Sequence, residues 1–292
     1  MNHTDIEWAT YTWNPVTGCD KISPGCDHCY AYGIAWRFAG RSGFPERPRC
    51  FDVTTHPSRL HDLRRTDRRK GGIVFAGSMT DLFHPDIPLE FLIKIYEEIH
   101  AAQNRKFVVM TKRPVEMLKR MDALHAARLL PMPHVIHMVT CENMLCVERR
   151  LPLLRQAQDA YGLPLIGVCL EPYLDERIPT FDDVRDMDWV ILGGETGSKG
   201  RPMPLDVAHT MRVHPRLFFK GWGHYRYYRT DSRGGGYQDA ATGEIVHFRE
   251  VERNKIVAMD GGLYTCRPIK YRATPAKILG VEYHAYPKGW RD

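Results

Sequence analysis

Three cysteines carry the most chemistry in this sequence. Cys19, Cys26 and Cys29 fall within Asn14-Pro-Val-Thr-Gly-Cys-Asp-Lys-Ile-Ser-Pro-Gly-Cys-Asp-His-Cys-Tyr30, where Gly18, Pro24 and Gly25 supply sharp turns that fold a short loop back on itself. Three thiols with no local fourth ligand describe a metal site with one open coordination position, which a catalytic metal needs and a structural one avoids. Three chemistries are open. A zinc ion would take its fourth ligand from His28 or a distant cysteine, although the paired Cys-x-x-Cys knuckles usual for zinc are absent. Cys26-x-x-Cys29 could be a redox pair, but it lacks a thioredoxin-like context. In an iron–sulfur site three thiolates bind three irons of a [4Fe–4S] cluster and leave the fourth free, and this fits the position of the loop best. The scattered Cys50, Cys141, Cys146, Cys169 and Cys266 read as small buried apolar side chains.

The elements that must hold this loop repeat a pattern. Short apolar runs (Gly72 to Ser78, Lys106 to Thr111, His134 to Thr140, Leu163 to Leu170, Asp188 to Gly193) are followed by helical periodicity, clearest over Pro88 to Ala102, Pro114 to Met121 and Met144 to Ala160. With a strand at about Ile6 to Trp13 before the cysteine loop and a helix from Tyr30 to Phe38 after it, six β-then-α units result. Near-continuous apolar strands alternating with helices predict a parallel sheet with helices on its faces, either partly closed as an incomplete barrel or open and doubly wound.

Such folds put chemistry in the loops after the strands. Here these loops read Thr80-Asp-Leu-Phe-His84, Thr111-Lys-Arg-Pro114, Thr140-Cys-Glu-Asn143, Glu171-Pro172 and Gly193-Gly-Glu-Thr-Gly197. Five polar loops in register predict a shared mouth beside the cysteines. Lys112 and Arg113 suit a carboxylate or phosphate of a substrate. Glu142 and Glu171 are similar strand-end acids, whereas His84, His134 and His137 read as ordinary loop or core histidines. The basic run Arg64 to Lys70 is a solvated helix end or a phosphate contact. From Gly221 a Gly- and Tyr-rich, strand-biased tail predicts an appended β-containing region, residues 221–292, packed on a main domain of residues 1–220. Lys220 and the segment Trp222 to Tyr228 mix cations with aromatics, as nucleic-acid-binding surfaces do.

Composition sets the bounds. At 292 residues with 43% hydrophobic and 26% charged residues, the chain can bury a sizeable core. A net charge of +6 favours an anionic partner, weakly. The absence of any run of about eighteen apolar residues predicts no membrane span. A polar N-terminus without a secretory segment predicts a cytoplasmic protein, and eight cysteines there do not make a disulfide framework.

A three-cysteine loop ending Cys-x-x-Cys-Tyr after the first strand of a six-unit βα chain resembles the radical S-adenosylmethionine (SAM) superfamily. More closely, Ile6-Glu-Trp8, Thr12 to Cys19 and Ser23 to Ala31, followed in order by Ser78 to His84, Thr111 to Pro114, Gly193-Gly-Glu195, Arg201-Pro-Met203 and Phe218 to Gly223, are similar to a phage- and bacterium-borne, radical-SAM-like family of unassigned function. The spacing differs from the superfamily's common one: six residues separate Cys19 from Cys26, and His28 stands before Cys29 where an aromatic residue is usual. The resemblance implies an incomplete (β/α)6 parallel barrel of radical SAM type. It implies a [4Fe–4S] cluster on Cys19, Cys26 and Cys29, with SAM on the free iron. One electron, from a donor such as flavodoxin or ferredoxin, would cleave SAM to a 5′-deoxyadenosyl radical that abstracts hydrogen from a substrate. Superfamily members hold the SAM amino group after the second strand, which makes Ser78, Thr80 and Asp81 the candidates here. Gly193, Gly194 and Glu195 could approach a ribose or the substrate, and Cys141 or Cys169 could return a hydrogen atom to a substrate radical. Nucleic acid or a nucleotide is the leading substrate class. The alternatives are a zinc-stabilised nucleic-acid-binding protein without catalysis and, ranked last, a nucleotide-binding enzyme using Gly193 to Gly197 as a phosphate loop, since that loop lacks the expected lysine.

Overall fold

The computed structural model describes residues 1–65, 71–197, 199–221, 223, 225–230, 236–239, 245–247, 255–257, 263–268, 284–287 and 290. By contact the chain forms two compact units, one of Met1–Thr140, Glu148–Cys169 and Pro287–Asp292, the other of Cys141–Val147 and Leu170–Tyr286.

In the first unit five parallel strands lie side by side in chain order: β1 (Tyr11–Trp13), β2 (Ile73–Ala76), β3 (Lys106–Thr111), β4 (Val135–Thr140) and β5 (Ile166–Leu170). Register runs Trp13 to Ala76, Ala76 to Val109 and Val109 to His137, so the strand ends stay level. Neighbours follow sequence order with no reversal. Every crossover therefore steps the same way, as in a barrel and unlike a doubly wound sheet with a switch point. Asn2–His3 adds an antiparallel edge to β1. Every residue of β4 and β5 is buried, which explains their near-continuous apolar runs. The mixed α/β class with a mostly parallel sheet, expected from the repeats, is present, and among the described residues no pairing closes it into a barrel.

The helices are α1 (Tyr30–Arg37), α2 (Leu89–Ala101), α3 (Pro114–Ala126) and α4 (Met144–Tyr161). In α2, Leu92, Ile95, Tyr96 and Ile99 are fully buried; their i, i+3, i+4, i+7 spacing makes one apolar stripe, each side chain contributing roughly 1.5–3 kcal/mol. Proline at the first position of α3 presets its φ, and buried Met117, Met121 and Leu124 carry the helix five residues past the predicted Met121. The first strand is shorter than predicted. A turn closed by the Ala9 amide on the Ile6 carbonyl occupies residues 6–9, and Trp8 leaves the strand direction to pack on Phe75 with ring centroids 5.0 Å apart.

In the second unit β6 (Trp189–Gly193) and β7 (Leu217–Gly221) pair in parallel, with α5 (Leu205–Met211) between them in the chain. β7 is a strand beyond the six counted from sequence, although Leu217-Phe-Phe219 carried its apolar signal. Strands at Tyr225–Thr230, Gly236–Asp239, Ile245–His247, Lys255–Val257 and Leu263–Pro268 make a separate antiparallel sheet, in line with the strand-biased reading of the tail.

Candidate metal and cofactor site

The cysteine loop leaves β1 through Asn14 and is locked at Gly18. That residue has φ +93°, and a Cβ there would run into the Asp52 carbonyl, so glycine is required where the loop crosses residues 51–52. The Cys19 amide donates to the Phe51 carbonyl at 3.1 Å. Val16–Thr17 pairs with Thr54–Thr55 and fixes the approach. Pro24–Cys26 forms one 3-10 turn, and Cys29 is the N-cap of α1. All three cysteines are free thiols of intermediate exposure.

The loop after β2 is laced onto this one. The Asn14 carboxamide oxygen accepts the Met79 amide at 2.9 Å and the Ser78 hydroxyl at 3.2 Å. The Thr80 hydroxyl donates to the Gly18 carbonyl at 2.6 Å, and the Gly18 amide returns a bond to Met79. Tyr30, half-exposed at 51%, donates its hydroxyl to the Ser78 carbonyl at 2.6 Å. Buried Asp81 joins the next loop, because its carboxylate accepts the Thr111 hydroxyl at 2.8 Å, the Lys112 amide at 2.9 Å and the Phe83 amide at 3.0 Å. Ser78, Thr80 and Asp81 thus sit beside the cysteines, and their side chains hold three strand-end loops together.

A polar relay adjoins Cys19. Asp20 accepts from both the His84 imidazole and the Arg113 guanidinium, while His84 Nδ1 accepts the Asp86 amide at 3.1 Å. His84, read from sequence as an ordinary loop or core histidine, therefore adjoins the cysteine loop through Asp20. Ligand atoms of Cys19, Asp20 and His84 all lie within 4.8 Å of one another. Burial pushes the Cys19 thiol up to about 11, the Asp81 charge adds to this, and the nearby Arg113 cation works the other way. Burial also works to raise the Asp20 carboxyl, but the His84 hydrogen bond and the Arg113 charge outweigh it and hold it below the usual range. Sequence reasoning passed over Asn14 and Asp20; for His84 the signal available was that it ends the same polar loop as Asp81.

His134 and His137 match the core reading. His134 bonds the Ile99 carbonyl, and His137 bonds the buried Tyr96 hydroxyl at 3.0 Å. Arg64 forms a two-bond pair with buried Glu98, and residues 66–70 of the basic run lie outside the described residues. So do Trp222 and His224.

In the second unit, Gly194 donates its amide to the Gly221 carbonyl, and buried Glu195 takes Arg201 through its backbone amide at 2.8 Å and its guanidinium at 2.7 and 2.9 Å. Gly223, at φ +76°, has room for no Cβ against the backbone of residues 194–195. Gly194, Glu195 and Arg201 thus pack together with the backbone of Gly221 and Gly223. Glu171 pairs with Lys220, and the Glu142 carbonyl accepts the Leu174 amide. Cys141 and Cys169, one in each unit, are both buried.

Residues 3–266 match the family described as a protein of unknown function, DUF5131. The chain belongs to that family. No curated protein matches it. Among solved structures, a mutant spore photoproduct lyase is similar with a TM-score of 0.45 at 14% identity, covering 80% of this chain and 68% of that one. Among the described residues no helix is long and apolar enough to cross a membrane.

Proposed function

We propose that this DUF5131 protein is a radical SAM enzyme that holds a [4Fe–4S] cluster on Cys19, Cys26 and Cys29. The observation that carries the reading is the set of three free, half-buried thiols on one loop, set between β1 and α1 and braced by the loop after β2. Soft thiolate donors suit an iron–sulfur cluster. Arg113 beside Cys19 offsets part of the negative charge such a ligand set brings, and Cys29 at the N-cap meets the positive end of α1. Bound there with SAM, the cluster would supply one-electron cleavage of SAM for hydrogen abstraction, with the electron coming from a flavodoxin- or ferredoxin-like donor. The chain's own part is positioning. Asp81 places a carboxylate near Cys19 to attract the SAM ammonium, and Ser78 and Thr80 hold that loop against Asn14 and Gly18. Lys112 and Arg113 are the cations for an anionic substrate; Gly193, Gly194 and Glu195 are proposed for a ribose or the substrate, and Cys141 or Cys169 as a hydrogen donor.

Anaerobic reconstitution with iron and sulfide should give a brown protein with about four irons and four sulfides per chain, which forms 5′-deoxyadenosine when reduced with SAM. Replacing all three cysteines with alanine should abolish both. A colourless wild-type protein, or a cluster that survives the triple replacement, would overturn the reading.

One observation favours a second reading. Cys19, Asp20 and His84 already bring a sulfur, an oxygen and a nitrogen donor together, the ligand types of a mononuclear zinc site. Protein purified without oxygen that contains one equivalent of zinc and no sulfide would establish it.

A further inference from the structure

Between the first turn of α3 and the first half of α4 the surface dips into an open groove of about 290 Å³. Its walls carry Lys112 and Arg113 from the end of β3, Arg149 and Arg150 from α4, Val115 from α3, and Ile22 from the cysteine loop itself. Glu116, of the same lining, is engaged by Lys119 at 2.6 Å, so four basic side chains line the groove against one acidic one. Exposed Arg149 makes no ion pair among the described residues. Arg150 is buried and anchored on the Thr140 carbonyl. Arg113 places one guanidinium nitrogen on Asp20, while its Nε is buried with no acceptor among the described residues.

The groove also receives the positive end of α3. Arg113 at the N-cap gives no side-chain bond to the amides of the first turn, so these add partial positive charge to that of the side chains. Cationic side chains on both walls of the groove and a helix end suit an anionic group with several oxygens. Ile22 and Val115, exposed at 39% and 51%, offer the apolar flank that a sugar or base beside that group would cover. Asp20, two residues from Ile22, ties Arg113 to the cysteine loop.

We propose that this groove binds the phosphate of a nucleotide, free or within a single-stranded nucleic acid. Its role as a substrate seat rests on the radical SAM reading; the binding itself does not. The test is a titration of the full chain, as purified, with adenosine monophosphate, with adenosine, and with a single-stranded oligodeoxynucleotide of roughly a dozen residues. Lys112→Gln and Arg149→Gln should each weaken binding about five- to tenfold and lower the slope of log affinity against log salt by about one. Arg128→Asn, at the far end of α3, removes one cation as well and should leave affinity unchanged. Binding of the monophosphate but not of adenosine assigns a free nucleotide, and binding of the oligonucleotide alone assigns a nucleic-acid backbone. No binding of either phosphate ligand, or an equal loss with Arg128→Asn, would overturn the proposal. Nucleotide binding that needs Lys112 and Arg149 in a protein that takes up no iron would sink the enzymatic reading and leave the groove standing. The reverse result, SAM cleavage without nucleotide binding, would sink the groove alone.

Discussion

At the scale of single residues, the side chains in this protein divide between those held by the core and those the site uses. His137 belongs to the first group. It is fully buried on β4 against the Tyr96 hydroxyl, and burial depresses its imidazole to about 4. In the unfolded chain the same ring would titrate near its ordinary value of 6.5. Between these values the unfolded state carries the proton and the folded state does not, so stability rises with pH across the window and is lost as pH falls. His137 alone should cost about 2 kcal/mol between about pH 7.5 and 5, and His56, depressed by burial and then by Arg59, acts in the same direction. Urea midpoints of wild type and His137→Gln at the two pH values check this, and equal losses in both proteins would show that the ring is not held neutral. Asp20 and His84 belong to the second group. Their pairing could not be read from sequence, because a carboxylate and an imidazole 64 residues apart gain meaning only when two loops meet.

At the scale of elements, the loops rather than the strands decide whether a metal can bind. Gly18 is the point where this is sharpest. Its left-handed backbone and the Asp52 carbonyl facing it leave no place for a side chain, and a non-glycine residue held in an unfavourable backbone region costs about 1–3 kcal/mol before any clash. Gly18→Ala should therefore open the crossing of the cysteine loop over residues 51–52. The expected result is less than half the iron of wild type after reconstitution, with the urea midpoint lowered by no more than a few kcal/mol in stability. Full iron content in Gly18→Ala would show that the loop can reach its ligand geometry by another path. The order of strands and helices was largely legible in the sequence, since β4 and β5 are buried along their whole length and α2 carries a clean apolar stripe. The lacing of the site was not. Asn14, Ser78 and Thr80 act through hydrogen bonds across more than sixty positions, and hydrophobic periodicity carries no trace of such bonds. Reading Ser78, Thr80 and Asp81 as ligand contacts left out that these side chains brace the loop.

At the scale of the whole molecule, residues 284–286 are a structural part of the fold. Residues 284–286 return to β6 and β7 after the antiparallel sheet: the Ala285 amide donates to the Leu217 carbonyl at 3.0 Å, and the Trp189 indole N–H donates to the Ala285 carbonyl at 2.7 Å. His284 stacks on Phe218 at 4.8 Å, and Tyr286 packs against both Trp189 and Phe218 at 5.5 Å. These contacts cap two aromatic residues that are among the largest fully buried side chains. Ending the chain after residue 283 would leave the Trp189 N–H without its acceptor, at about 1–3 kcal/mol, and remove three aromatic contacts worth roughly 0.5–1.5 kcal/mol each. Together these approach the stability of an ordinary domain. The truncated protein should therefore be recovered mainly as aggregate, while Tyr286→Ala, which keeps the backbone bonds, should fold with its stability lowered by about 2 kcal/mol. Recovery of the truncated chain as a soluble protein with an unchanged urea midpoint would show that β6 and β7 hold their aromatic core without the returning segment.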